Sequence, residues 1–216
     1  MQSRQSNKTK FVVGLGNPGR QHAGTRHNVG FRLVRHLAER WNLGKPRRAF
    51  GGLAYDASVA RGDQAARVMM LMPQTYMNRS GQAVRDMASF YKAGCQDILV
   101  VLDDMALPPG RLRARASGSD GGHNGLADVL AMLGSEEVPR LRIGIGPAPG
   151  QMDPADYVLS KFRPDEMETI ERAIRLAADA VEDWAFGPLA DVMEKYNRND
   201  EATTPGPACD DVADPG

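Results

Sequence analysis

Apolar positions along the chain alternate between two rhythms. Residues 10–15, KFVVGL, form a short β-branched run ending in glycines, the pattern of a buried strand. Between residues 28 and 43, Phe31, Val34, Leu37, Ala38 and Trp41 recur at helical spacing. Residues 53–60 and 65–72 flank Arg61-Gly62-Asp63-Gln64, the signature of a hairpin around a glycine-containing turn. Residues 80–93 return to helical spacing through Val84, Met87, Ala88 and Tyr91, with Gly94 expected to end that helix.

Farther on, residues 98–102, ILVVL, predict a central strand, and Leu126, Val129, Leu130 and Leu133 a short helix stopped by Gly134. Residues 140–146, RLRIGIG, alternate basic or glycine positions with apolar ones, as a strand with one solvated face would. A long helix starts at Pro164, and another is expected after Pro188. A hairpin set among β–α alternations predicts one α/β domain: a three-layer sandwich with a mixed, mostly parallel twisted sheet and helices on both faces. No internal repeat or linker divides it.

Composition refines this outline. With 216 residues and a 42% hydrophobic share, the chain can bury a full core. No stretch approaches the roughly 20 apolar residues of a membrane-spanning helix, so no membrane association is expected. The polar first nine residues are expected to be flexible and lack the apolar core of a secretory signal. Two cysteines, Cys95 and Cys209, the second in the tail, do not make a disulfide framework, and the expected location is a reducing cytoplasm. Formal net charge is zero, yet residues 199–216 carry five acids and no base. With those set aside, the remaining 27 basic and 22 acidic residues leave +5. The acidic tail is expected to be disordered, and the mildly basic body permits a polyanionic partner without requiring one.

Unusual residues concentrate in the loops. Gly14-Leu15-Gly16-Asn17-Pro18-Gly19 matches the G-x-G-x-x-G pattern of dinucleotide sites, but no amphipathic helix follows the third glycine. A tight glycine turn is the better reading. Thr25-Arg26-His27-Asn28 places a histidine just before a helix, where it can accept a proton near neutral pH; on this segment alone, Asn28 as a helix cap with His27 incidental is the better reading. Residues 73–81, PQTYMNRSG, offer the Tyr76 ring and the Asn78 amide. Asp103-Asp104 ends the central strand, where carboxylates commonly face the ligand crevice of an open α/β sheet. Residues 118–125, GSDGGHNG, are dense enough in glycine for backbone to approach a ligand.

Asn17, Asn28, Asn78 and Asn124 thus share this loop set with one histidine and one aspartate. Amides hold a carbonyl or a water without adding charge. There is no G-x-S-x-G serine, neither cysteine looks activated, and His22, His27, His36 and His123 lack metal-ligand spacing. His36, in mid-helix, reads as solvated. No metal and no cofactor are expected. What remains is water activated by a His–Asp pair.

In GLGNPG, TRHNVGF, PQTYMNRSG, DD…LPPG, GSDGGHNGL and RLRIGIG, taken in that order over residues 11–198, the chain resembles the bacterial peptidyl-tRNA hydrolase family. The resemblance implies a catalytic domain at residues 10–198 and, as activity, hydrolysis of the ester between a peptide and the 3′-terminal ribose of tRNA. It also implies a monomer acting on peptidyl-tRNA. His27 matches the catalytic base, Asp103 the acid that orients it, and Asn17 the position that tells blocked from free aminoacyl-tRNA. Tyr76, Asn78 and Asn124 match substrate-binding positions, and Arg115 and Arg142 fall near contacts to tRNA phosphates. The chain departs from the family at His22, where a tyrosine is usual in the substrate site, and at Ala106, which replaces a common acid. Plastid intron-splicing factors share the fold without hydrolysis, so an RNA-binding module is the rival reading; retention of His27, Asp103, Asn17 and Asn78 favours the enzyme.

Overall fold

The computed structural model describes residues 9–198; the expectations for the first residues and for the acidic tail lie outside them, apart from Thr9. Seven strands form one sheet: β1 (Lys10–Gly14), β2 (Arg47–Ala49), β3 (Gly52–Arg61), β4 (Gln64–Pro73), β5 (Ile98–Asp104), β6 (Leu112–Arg115) and β7 (Arg140–Gly144). Their order is β2-β3-β4-β1-β5-β7-β6. The four central strands are mutually parallel, and β3 and β6 run against them. Six helices complete the fold: α1 (Val29–Arg40), α2 (Ser80–Tyr91), α3 (Asn124–Leu133), α4 (Pro154–Leu159), α5 (Pro164–Phe186) and α6 (Leu189–Tyr196). The expected mixed, mostly parallel α/β sandwich is the architecture found.

Side chains alternate across a strand, so each central strand feeds two cores. Val12, Leu99 and Val101 join the residues under α1, α5 and α6, while Phe11, Val13, Ile98, Val100 and Leu102 join those under α2 and α3. Both layers are apolar and pack β1 and β5 from either side. Close approach of α1 to β1 depends on glycine. A Cβ on Gly30 would lie 2.5 Å from the backbone of Leu15 and from the Val101 carbonyl oxygen. The G-x-G-x-x-G segment therefore serves packing and turning: a 3-10 turn, Arg20–His22, follows Gly19 where a dinucleotide site requires a helix.

Two local expectations change. The helix over residues 80–93 ends earlier, at Tyr91, and Lys92 (φ 53°) takes the left-handed position assigned to Gly94. On the polar side of β7 only Arg142 is half-exposed, because the Arg140 guanidinium is drawn inward by the carbonyls of Gly118 (2.7 Å) and Glu136 (3.4 Å). Strands β2 and β6 and helix α4 are too short to leave a periodic signal. Among the described residues, no helix is long and apolar enough to cross a membrane.

Candidate active site

The carboxyl ends of β1 and β5 open on a cavity of about 760 Å³, where ligand crevices of open α/β sheets form. Asp103 is the penultimate residue of β5 and is buried. Its Oδ1 meets His27 Nδ1 at 2.8 Å and His123 Nε2 at 3.1 Å. His27 sits in a 3-10 turn, Arg26–Asn28, leading into α1. His123 is the N-cap of α3, and its Nδ1 accepts the Leu126 N–H at 3.2 Å.

These bonds define the tautomers. With Nδ1 accepting, His123 carries its proton on Nε2 and donates it to Asp103. A carboxylate only accepts, so His27 donates from Nδ1 and keeps the Nε2 lone pair. Burial alone would raise the Asp103 pKa; the two imidazoles, His123 foremost, overcome it and hold the carboxyl well below the usual carboxylate range. Asp103 is thus an ionised group fixed between two rings whose centroids lie 4.8 Å apart.

Asn17, after β1, has its Oδ1 accepting the Met77 N–H at 2.8 Å. Its amide NH2 is the end left for a ligand. Asn28 does not cap α1 with its side chain. Its Oδ1 accepts the Asn17 N–H (2.7 Å) and its Nδ2 donates to the Asn17 carbonyl (2.9 Å), so it clamps the Asn17 backbone. Of the four loop asparagines, Asn17, Asn78 and Asn124 line the cavity, and Asn28 works behind it. Tyr76, 65% exposed, stands at the rim. Arg142 also lines the cavity, with its Nε 2.9 Å from Asp104 Oδ2.

Two residues named from sequence lie elsewhere. His22 is half-buried in its 3-10 turn, off the cavity wall, and its carbonyl accepts the Thr25 hydroxyl at 2.9 Å. Arg115 is exposed at the end of β6, beside a second groove of about 530 Å³.

Two others were missed. His123 read only as part of a glycine-rich loop; a histidine just ahead of a helical period was the available signal. Arg26, given no role of its own in the sequence, is buried against the rings of Tyr157 and Phe162 (4.5 and 4.9 Å to their centroids). It donates to Ser160 Oγ (3.2 Å), the Lys161 carbonyl and Glu166 Oε2 (2.5 Å), tying the His27 turn to the α4–α5 junction. Nothing local in the sequence marks partners about 140 residues away.

Among the described residues, His27, Asp103 and His123 are also the side chains close enough to share a metal ion, with donor atoms within 4.8 Å. As bonded here, both facing nitrogens carry protons to Asp103, and an ion would have to displace them.

Fold and site together define a class: a three-layer α/β protein with an amide-lined cleft at the carboxyl edge of its sheet, built on a buried His–Asp–His arrangement. The family model described as peptidyl-tRNA hydrolase matches residues 11–204. The peptidyl-tRNA hydrolase of Geobacillus kaustophilus is 43% identical over 188 residues, 87% of this chain and 99% of that protein. The peptidyl-tRNA hydrolase of a Synechococcus strain is 46% identical over 203 residues, 93% of this chain and 87% of that protein. The crystal structure of peptidyl-tRNA hydrolase from Acinetobacter baumannii superposes with a TM-score of 0.81 at 34% identity, over 88% of this chain and 95% of that one. The chain belongs to the peptidyl-tRNA hydrolase family.

Proposed function

We propose that the chain hydrolyses peptidyl-tRNA, with His27 as the general base for the attacking water. The observation that carries this reading is the 2.8 Å bond between His27 Nδ1 and the ionised Asp103, which leaves Nε2 as the proton acceptor in the cavity. Water attacks the carbonyl carbon of the ester while His27 Nε2 takes its proton. The tetrahedral intermediate then collapses, the bond to the 3′ ribose oxygen breaks, and that oxygen receives the proton from His27. Asp103 stabilises the imidazolium that forms between these steps. General-base assistance of this kind contributes roughly 10²–10⁴ in rate.

The free NH2 of Asn17 is the donor for the developing oxyanion or for the peptide carbonyl next to it. Loss of one such donor costs about 3 kcal/mol of transition-state stabilisation. Asn78 and Asn124 hold the substrate's polar backbone, and Tyr76 offers a face for a 3′-terminal base. Arg115 and Arg142 take tRNA phosphates, Arg115 openly and Arg142 while anchored by Asp104. Every group in the scheme comes from this chain, which suits a monomer. Peptidyl-tRNA arises where ribosomes work, which supports a cytoplasmic location. No step in the scheme calls for a cofactor.

The rival RNA-binding reading gives no use to an ionised carboxylate buried between two imidazoles. Hydrolysis of N-acetyl-aminoacyl-tRNA in ¹⁸O-water separates the two. Hydrolysis by activated water puts the label in the released carboxylate and none in the ribose hydroxyl. Absence of cleavage by the wild-type chain would favour the binding module.

A further inference from the structure

Strand β6 sets Arg113 directly opposite Arg142, and Arg115 directly opposite Arg140, on β7. Opposed residues of an antiparallel pair share a face of the sheet, and like charges there are destabilising. Arg140 and Arg142 are occupied by backbone carbonyls and by Asp104. Burial, then the Arg142 cation, lowers the Arg140 pKa, with Arg115 adding to the effect against Glu136. Among the described residues, Arg111, Arg113 and Arg115 have no carboxylate partner, and all three line the second groove with Leu112, Met193 and Asn197.

The described fold ends in that groove. Asn197 pairs its side chain with the outward backbone of β6, accepting the Ala114 N–H at 2.7 Å and donating to the Ala114 carbonyl at 2.9 Å. Arg111 donates to the Asn197 carbonyl. The next stretch of chain, residues 199–216, brings Asp200, Glu201, Asp210, Asp211 and Asp214 and no base. Asp200 and Glu201 follow Asn197 closely enough to reach about 10–14 Å from it. Attachment at this point gives the tail an effective concentration on the order of millimolar at the groove.

We propose that residues 199–216 dock through their carboxylates on the arginine face of β6 and β7 and give it up to tRNA, acting as an internal competitor for phosphate. The docking stands on the charge pattern and the exit point; the competition rests on the tRNA reading above. A docked tail has already released the counterions of the arginines it covers. The full chain therefore binds tRNA more weakly at low salt, and with a shallower salt dependence, than a chain ending at Arg198.

Docking is read without RNA, from a spin label on Cys209 in the full chain carrying Cys95→Ala. Backbone amides of residues 111–115 are expected to broaden at ~0.05 M salt and recover at ~0.5 M, where screening shortens the reach of charge. Asp210→Asn, Asp211→Asn and Asp214→Asn together abolish the broadening. Sharp amides at low salt in the acidic chain would overturn the proposal.

Competition is read from the Kd of deacylated tRNA, which needs no hydrolysis, so an inactive enzyme leaves the test intact. Removing residues 199–216 is expected to tighten binding roughly threefold to tenfold at ~0.05 M salt, steepen the salt slope, and make no difference at ~0.5 M. In an Arg113→Glu, Arg115→Glu chain the truncation has no effect. Equal affinities and slopes with and without the tail, or a truncation effect that survives the charge reversal, would overturn it.

Discussion

Asp103 and the arginines of β6 handle charge in opposite ways. The carboxylate is buried, and both imidazoles that face it donate to the same oxygen. On the neighbouring strand pair, Arg113 and Arg115 face other arginines, and the groove beside them offers no carboxylate among the described residues. The first region is internally satisfied, so its geometry is set before any substrate arrives. The second is internally frustrated, so its balance is completed from outside. Preorganisation belongs where a proton moves; unmet charge belongs where a polyanion must be attracted and released.

Substitutions in the two regions should therefore fail differently. The largest effect is expected from His27→Ala, which removes the base: kcat should fall by about 10²–10⁴ in steady-state hydrolysis of N-blocked aminoacyl-tRNA. A fall below threefold would remove His27 from the chemistry. His123→Asn deletes one donor to Asp103 while an amide can still cap α3, and a loss in kcat of roughly tenfold is expected, with KM unchanged. An effect on KM alone would assign His123 to substrate binding.

Arg115→Glu, across the divide, should raise KM roughly fivefold at low salt and leave kcat alone, with a flatter salt dependence. Arg142 is a less clean probe, because its reversal also strands Asp104. The smallest effect concerns acid stability. Asp103 is held below its unfolded pKa, so its contribution to folding is complete above about pH 4 and is lost as pH falls through the folded value. Asp103→Asn should flatten the decline of the urea midpoint below about pH 4 relative to wild type. Parallel curves would mean that the carboxylate contributes nothing to folding.

Legibility of these regions in the sequence followed the range of their interactions. The hairpin, the long helix at Pro164 and the central strand show in local periodicity; Asp103 closes that strand, and Asn17 and His27 lie in the connection between β1 and α1. Asn28 was read as a local cap because a cap is the commonest use of that residue there; its partner proved to be the backbone of Asn17, 11 residues earlier. His123 and Arg26 gain their places from contacts 20 and about 140 residues away, which no window of sequence contains. Strand β6, four residues with arginine at alternate positions, is shorter than any periodic signal, so the basic face came into view only with its pairing to β7.

The central claim is that the ionised Asp103 sets the His27 tautomer for chemistry and takes no part in holding tRNA. Single-turnover hydrolysis by Asp103→Asn, with the Kd for deacylated tRNA measured on the same protein, tests it most directly. An amide can donate to Nδ1 and leave the proton on the wrong nitrogen, so the rate should fall by roughly 10²–10⁴ while Kd stays within about twofold. Near-normal turnover, or a loss of rate matched by an equal loss of tRNA affinity, would contradict the account.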